Sequence, residues 1–375
     1  MGIDDPAWRE LRSRGWDVKF VICRPWSGAP PRGDNAAVRT VFLPSFLNPP
    51  CGDPGLWIDL LDEGRSVLLD MGELGHVANR KLLRVERVVV THTHMDHFVG
   101  FDSMLRLMLG REKELVVTGP PGFLDRIRGK IAAYTWNLIE DYPVRLRAEE
   151  IDGETVRSVL YSGAGRMEPE PLPDRPFTGV IHGERLYTMH VDVLDHGIPV
   201  LGIALRETEH ISVNKDRVLK MGLVPGEWLR ELKHAARRYE AGEQEIRTET
   251  EDGLGRIFTR AELAAEIVLR SPGQRLAYLT DIRYTPANIE KAVELARDAD
   301  LLVCETAFLD EDRALADERF HLTARQAGEL ARAAGAKRLA PFHLSPRYQG
   351  REREVLDEAA DAFGGPVLTL NAEPG

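Results

Sequence analysis

The stretch "VVVTHTHMDHFVGF", residues 88–101, places three histidines and an aspartate within six positions, directly after an apolar run. His92 and His94 are two residues apart, so their side chains point the same way in an extended chain and both can reach one ion. Asp96 and His97 follow a turn and can face a second ion. Imidazole and carboxylate are ligands that zinc prefers. The stretch therefore predicts a metal site at the end of a buried strand.

Two metal ions need more ligands than this cluster supplies, and three further candidates follow apolar strands downstream. They are His196 in "VLDHGIP", Asp281 in "LAYLTD" and His343 in "RLAPFH". A single histidine at a strand end is usually structural. In this order behind the first cluster, however, the three residues support one another as ligands.

The periodicity of the chain predicts an α/β protein. Strands are predicted at "VRTVFL", "RVERVVVTH", "KELVVTG", "QRLAYLTD", "DLLVCET" and "KRLAPFHLS", and hairpins at "LWIDLLDEGRSVLLDMG", with its turn at Glu63–Gly64, and at "GVIHGERLYTMHVDVLDHG". Helical spacing occurs in "DRIRGKIAAYTWNLI", "GEWLRELKHAARRYEAG", "TPANIEKAVELARDA" and "TARQAGELARAAGA", the last two of which open on a threonine that can cap the first turn. Two sheets packed face to face, with helices outside, accommodate this order.

Composition limits the class of protein. The 375 residues are 43% hydrophobic with a net charge of −11, which argues against a protein that coats nucleic acid but not against a nuclease with bound cations. Three separated cysteines, Cys23, Cys51 and Cys304, form no disulfide framework. The sequence has neither a signal segment nor an apolar span. We therefore expect a cytoplasmic protein without a membrane partner.

The metal motif and its distant partners resemble the metallo-β-lactamase superfamily, and within it the ribonuclease Z family of tRNA 3′-processing endonucleases. The resemblance rests on "THTHMDHFVGFDSMLR", "DHGIPVLGIALRE", "YLTDIR", "CETAF" and "FHLTARQAGELARAAGAKRLAPFHLSPRY". The last piece pairs an HxT motif with a final histidine in an S-x-R-Y context. The resemblance implies an αββα sandwich of two facing mixed β-sheets with helices outside, formed as one domain over residues 1–375.

The resemblance also implies roles for individual residues. The first metal ion would take His92, His94 and His196, the second would take Asp96, His97 and His343, and Asp281 would bridge them. The ions would be two Zn²⁺, with Mn²⁺ or Fe²⁺ as alternatives, and a hydroxide shared between them would attack a phosphodiester. Asp96 resembles the family's general base.

Two further residues resemble the family's catalytic acid and its partner. His321 in "FHLT" would protonate the leaving oxygen, and Glu305 in "CETAF" would orient it and keep it charged. A carboxylate beside an imidazole raises the basicity of the ring, so the histidine can carry a proton at neutral pH.

Two regions differ from the family or extend it. The N-terminal quarter keeps only a trace of the family's opening loop, in Ser27, Gly28, Pro30, Arg32 and Asn35, and the insertion "PSFLNPPCGDPG" follows. A substrate-binding arm is expected at about residues 209–252. Within it, residues 213–238 hold seven basic side chains and three acidic ones, a net charge of +4, and an acidic run follows. The basic segment is consistent either with phosphate contacts or with a solvated helix that packs on Trp228.

The leading hypothesis is a zinc-dependent phosphodiesterase that cleaves precursor tRNA. A relative that hydrolyses cyclic nucleotides or another small phosphodiester is the main alternative, and a non-catalytic metal or nucleic-acid binding protein is a third. A lactonase or lactamase would share the metals without needing Glu305 and His321, and a flavodiiron centre would place a carboxylate where His94 is. The family resemblance further implies a homodimer.

Overall fold

The computed structural model describes residues 41–238, 240, 242–250 and 252–370. The chain divides into two units, Met1–Val38 and Arg39–Gly375, and the described residues belong to the second. A single domain over residues 1–375 therefore remains an expectation. Several residues named from the sequence lie outside the described part: Cys23, Ser27, Gly28, Pro30, Arg32 and Asn35.

The first sheet contains eight strands that lie side by side in chain order. They are β1 (Phe42–Phe46), β2 (Leu56–Leu60), β3 (Arg65–Leu69), β4 (Val85–Val89), β5 (Glu114–Gly119), β6 (Arg145–Asp152), β7 (Thr155–Ser162) and β8 (Glu170–Pro176). Strands β3 to β6 are parallel, and their neighbours on both sides are antiparallel. Helices connect the parallel strands: α1 (Asn79–Leu82), α2 (Met95–Phe98), α3 (Phe101–Met108) and α4 (Phe123–Ala132).

The second sheet begins with three antiparallel strands, β9 (Val180–Gly183), β10 (Tyr187–Asp195) and β11 (Pro199–Glu207). The chain then leaves the sheet and forms a small lobe of β12 (His210–Val213), α5 (Lys215–Lys220), β13 (Leu223–Val224), α6 (Trp228–Arg237), β14 (Glu245–Thr250), β15 (Arg256–Thr259), α7 (Arg260–Ile267) and β16 (Val268–Ser271).

Three parallel strands complete the second sheet: β17 (Arg275–Leu279), β18 (Leu301–Glu305) and β19 (Leu339–Phe342). The remaining helices are α8 (Pro286–Leu295), α9 (Arg313–Arg319), α10 (Ala324–Ala333) and α11 (Glu352–Phe363), with short 3₁₀ turns at Asp310–Asp312 and Pro346–Tyr348. Every crossover between these parallel strands contains a helix, as a parallel connection requires.

Apolar side chains form separate cores between the layers. Val89 of β4 packs between the sheets with Leu201 and Tyr278 of the second sheet, whereas its neighbour Val88 faces the helices that cover the first sheet. Strands that are apolar on both faces are typical of a sheet covered on both sides. Another core lies between the second sheet and α8, α10 and α11. The predicted αββα sandwich is therefore confirmed.

Local predictions agree with these elements except at one strand and at one helix end. The strand predicted at "VRTVFL", residues 38–43, shares only Phe42 and Leu43 with β1, and its first three residues lie outside the described part. The hairpin turns at Glu63–Gly64 as predicted, and Thr285 and Thr323 cap α8 and α10. The predicted helix over residues 125–139 is wrong beyond Ala132. There, the indole Nε1 of Trp136 donates a hydrogen bond of 2.9 Å to the carbonyl of Ile131, and the chain leaves the helix.

The small lobe has its own core, which includes Trp228 and Leu232 of α6. It runs from about residue 208 to 274, further than the expected arm at about 209–252, because β16 pairs with β12 and closes the lobe. Apolar residues lie along one side of α6. Trp228, Leu232, Ala235 and Ala236 are buried and Leu229 is partly buried, while Tyr239 of the predicted helix lies outside the described residues.

Two basic residues of α6 face the body of the protein. The Lys233 ammonium lies 2.6 Å from the Asp62 carboxylate, and the Arg237 guanidinium lies 3.0 Å from Glu63, both acids being in the β2–β3 turn. These two cations of the expected arm are therefore paired within the chain. None of the helices in the described part of the chain has the length and apolar character that a membrane span requires.

Candidate active site

The candidate ligands converge where strands of both sheets end. His92, His94, Asp96 and His97 follow β4, His196 lies in the β10–β11 turn, Asp281 follows β17, and His343 follows β19. The carboxyl ends of β17, β18 and β19 share one edge, because Leu279 pairs with Cys304 and Glu305 pairs with Phe342.

Asp281 lies at the centre of this arrangement. Its Oδ2 is 3.5 Å from His92 Nε2, 3.4 Å from His97 Nε2 and 3.7 Å from His196 Nε2, and its Oδ1 is 3.4 Å from His343 Nδ1. Asp96 lies on the opposite side of His343, with 3.4 Å between Asp96 Oδ2 and His343 Nε2. The structure thus brings together all seven residues predicted as ligands.

The seven residues fall into two separate groups of potential ligand atoms. One group is His92, His94, His196 and Asp281, and another is Asp96, His97 and His343; within each, the ligand atoms lie within 4.8 Å of one another. A third group joins Asp281 and His343 to Glu305 and His321. The first two groups match the two coordination sets that the family resemblance implies.

The donor atoms fit divalent cations. Among the described residues, His92 Nε2, His97 Nε2 and His343 Nδ1 are buried and have no hydrogen-bond partner. Buried polar atoms without partners are rare in folded proteins, and a metal ion would satisfy all three. The residues therefore suit a dinuclear metal site.

Ionisation in the cluster is consistent with cation binding. Burial, together with the neighbouring imidazole of His97, lowers the pKa of His92 to about 2, so its ring is neutral, the form that binds metal. Burial opposes the charged form of His97, but Asp281 and Asp70 outweigh it and raise its pKa well above the usual value. The carboxylates of Asp281 and Asp70 thus favour a positive charge at this position.

Several residues of the site have backbone conformations that L-residues rarely adopt. φ is 50° at Asp281, 55° at His343, 62° at Asp70 and 61° at Phe320. Such conformations cost on the order of 1–3 kcal/mol each and concentrate where geometry serves function. Asp70, Asp281 and His343 lie just beyond strand ends, and Phe320 lies directly after α9.

A supporting group behind the ligands was not predicted from the sequence. Asp70, fully buried after β3, accepts hydrogen bonds from the backbone N–H and hydroxyl of Thr91 and from the Tyr278 hydroxyl at 3.0 Å, and it lies 3.0 Å from His97 Nδ1. A carboxylate behind a ligating imidazole fixes the ring's orientation and tautomer. The available signal was an aspartate directly after the apolar strand "RSVLL".

The proposed acid and its partner are in contact. The Nδ1 of His321 is 2.7 Å from Glu305 Oε2, and Glu305, which is fully buried, also accepts a 2.7 Å hydrogen bond from the backbone N–H of Ile282. Burial opposes protonation of His321, but Glu305 outweighs it and raises the pKa of the ring to about 9. The imidazole is therefore protonated at neutral pH in the metal-free chain.

Phe320 links the acid to a ligand. Its carbonyl is 2.8 Å from His196 Nδ1 and so accepts the proton of the ring nitrogen that faces away from Asp281. The Arg283 guanidinium lies 3.9 Å from the centre of the Phe320 ring. The residue before the proposed acid thus orients a proposed metal ligand.

The insertion "PSFLNPPCGDPG" lies beside the second group of ligands. The backbone N–H of Leu344 donates to the carbonyl of Pro50 at 2.9 Å, and that of Gly72 donates to Pro54 at 3.0 Å. Burial and the nearby Asp96 carboxylate raise the pKa of Asp53. The insertion is therefore held by backbone hydrogen bonds to Gly72, after β3, and to Leu344, after β19.

A cavity of about 440 Å³ opens over the first group of ligands. It is lined by His94, His196, Phe308, Leu315, Arg319, His321, Ser345 and Arg347. A substrate in this cavity would contact both the proposed acid and two of the proposed ligands.

Comparisons with known proteins agree with this geometry. A model of the beta-lactamase superfamily domain matches residues 228–344. The chain is 30% identical over 333 residues to a ribonuclease Z of Deinococcus radiodurans, which covers 85% of this chain and 95% of that protein. It is 29% identical over 363 residues to a ribonuclease Z of Bacillus cereus, an alignment that covers 94% of this chain and 97% of that protein.

A solved structure supports the fold. The metallo-beta-lactamase fold protein YhfI from Bacillus subtilis aligns with a TM-score of 0.51 and 13% identity, over 88% of this chain and 97% of that one. At this identity the likeness concerns the fold alone. Because the sequence similarity extends over nearly the whole length of the curated relatives, the chain belongs to the ribonuclease Z family of metal-dependent hydrolases.

Proposed function

We propose that this protein is a zinc-dependent endoribonuclease that cleaves precursor tRNA at its 3′ end. The observation that carries the proposal is the 2.7 Å contact between His321 and Glu305 beside the convergent ligand groups. An acid is needed where the leaving group is an alkoxide, as in RNA. The ribonuclease Z relatives support the choice of substrate.

In this proposal, His92, His94 and His196 would hold one ion, Asp96, His97 and His343 would hold the other, and Asp281 would contribute to both. The bound ions would supply charge stabilisation for the phosphodiester and activate water as a nucleophile. Zinc suits these imidazole and carboxylate ligands, and manganese or iron would bind similar atoms.

The remaining chemistry belongs to the side chains. Asp96, whose side chain is 43% exposed, would accept a proton from the attacking water. The Nδ1–H of His321 donates a hydrogen bond to Glu305, which leaves Nε2 as the nitrogen that would donate a proton to the leaving oxygen. Glu305 stabilises the charged imidazole before the transfer.

Turnover of several substrates tests this proposal. Zinc-loaded protein is expected to cleave precursor tRNA and bis(p-nitrophenyl) phosphate but not a lactone, because the arginines that line the cavity favour an anionic phosphodiester over a neutral lactone. Each substrate is offered at the same enzyme concentration, and cyclic nucleotides are included. Faster hydrolysis of cyclic nucleotides than of precursor tRNA would favour the small-substrate alternative. Failure on every phosphodiester would contradict the proposed chemistry.

We also propose that the small lobe contacts tRNA through exposed cations of α5. Lys215 and Lys220 are exposed and form no ion pair within the described residues, whereas Lys233 and Arg237 are paired with Asp62 and Glu63. The acidic run after residue 238, which includes Glu243, Glu245 and Glu249, would disfavour RNA on the neighbouring surface of the lobe.

Reversing both exposed lysines is expected to weaken precursor-tRNA cleavage. In a Lys215→Glu, Lys220→Glu variant, KM for precursor tRNA should rise and its dependence on salt should become shallower, because two phosphate contacts are lost. Hydrolysis of bis(p-nitrophenyl) phosphate should be unaffected. The matched control reverses Arg111 and Arg126, exposed residues beside the first sheet. Equal effects in the two variants would show a general effect of net charge and contradict the contact.

A further inference from the structure

Among the described residues, the cavity over the first ligand group has two arginines on its wall and no acidic side chain. Arg319 and Arg347 line it, as do His94, His196 and His321. The chemistry of the lining therefore favours an anionic ligand. Phe308, which is only 6% exposed, adds an apolar side chain to the wall.

The two arginines differ in how they are held. Arg347 lies 3.0 Å from the Asp312 carboxylate and 5.8 Å from the centre of the Phe308 ring, so its position is constrained by the protein. Arg319 is exposed at the end of α9 and has no ion-pair partner among the described residues. Arg319 therefore offers an unpaired guanidinium at the mouth of the cavity.

The position of His321 decides which part of a substrate enters. If His321 protonates the leaving oxygen, the nucleotide that carries this oxygen must occupy the cavity that His321 lines. For cleavage that frees a 3′-hydroxyl, the leaving atom is O3′. The next phosphate along the chain is then the 5′-phosphate of the same nucleotide.

We propose that Arg319, assisted by Arg347, binds this 5′-phosphate. The site would then select substrates in which the nucleotide that leaves through its O3′ also carries a 5′-phosphate. The inference rests on the proposed function, because it uses His321 as the acid. Arginine presents a planar fork of donors that matches phosphate oxygens in bidentate geometry. RNA chains carry the second phosphate, whereas a cyclic nucleotide or a dinucleoside monophosphate does not.

Two dinucleotides that differ only in this phosphate test the inference. The kcat/KM of the wild-type protein should be about tenfold or more higher for the 5′-phosphorylated dinucleotide pUpU than for UpU, as expected for a hydrogen bond between charged groups. In Arg319→Gln, this ratio should fall toward one. Arg332→Gln is the matched control, because Arg332 is an exposed arginine near the far end of α10, and it should keep the wild-type ratio.

The outcomes separate this inference from the proposed function. A wild-type ratio near one, or an unchanged ratio in Arg319→Gln, overturns the role of Arg319 while leaving the nuclease intact. If the wild-type protein cleaves neither dinucleotide nor precursor tRNA, the proposed function fails. Calorimetric titration with 5′-UMP and uridine then decides the site alone. Weaker UMP binding in Arg319→Gln, with uridine binding unaltered, supports the site, and equal UMP binding overturns it.

Discussion

Replacement of Asp281 by alanine is expected to remove metal from both positions and to abolish activity. Asp281 faces His92, His97 and His196 through one carboxylate oxygen and His343 through the other. In the proposed arrangement Asp281 contributes to both metal positions, so both lose a ligand when it is replaced. The loss should exceed the roughly 10- to 100-fold reduction typical of removing an outer partner of a metal ligand.

Elemental analysis and phosphodiester turnover should be measured on the same preparation. Asp281→Asn is the second variant, because asparagine tolerates the positive φ of 50° and differs from aspartate chiefly in charge. Asp298→Ala is the control, since Asp298 also has a positive φ, of 54°, but is exposed. A folded Asp281 variant with two ions per chain would contradict the bridging position.

The second large effect is expected from His321→Ala. The rate of RNA cleavage should fall by about 10²–10⁴-fold, the range for loss of a general acid. Both metals should remain bound, because His321 is not among the proposed ligands. The loss should be much smaller for bis(p-nitrophenyl) phosphate, whose p-nitrophenolate leaves without a proton. Glu305→Gln should give a milder effect with the same substrate dependence.

The decisive quantity is the wild-type-to-mutant rate ratio on each of the two leaving groups. His190→Ala is a suitable control, because His190 lies on β10 and bonds to Thr188 outside the ligand groups. Equal ratios for RNA and the nitrophenyl ester would mean that His321 has another role. Loss of metal from His321→Ala would mean that His321 is a metal ligand and not the acid. The potential ligand group of Asp281, Glu305, His321 and His343 makes this outcome structurally feasible.

The sequence predicted which ligands would meet, because each one follows a recognisable apolar strand. Strand ends in a parallel arrangement share an edge, so position along the chain translates into position in space. Metal binding by these residues stays a prediction. The layered fold could be inferred from the same strands, once the family resemblance supplied their order.

The contacts that the sequence did not reveal join residues far apart in the chain. Asp70 and Tyr278 are separated by 208 positions, and Lys233 and Asp62 by 171. An aspartate after a strand is common, and a lysine on a helix is usually solvated, so neither carries a local signal of its partner. Just beyond α4, the indole of Trp136 bonds to the carbonyl of Ile131. The helical spacing of apolar residues gives no indication of this contact.

The position of Phe320 limits how the substrate preference of this protein can be redesigned. Helix α9 carries Leu315 and Arg319 into the wall of the cavity and ends at Phe320, whose carbonyl holds His196. A graft that exchanges α9 to accept a different nucleotide would also shift that carbonyl. Exchange of α9 would therefore alter both the wall of the cavity and the orientation of His196. Single substitutions on α9 would change the wall while leaving the carbonyl of Phe320 in place.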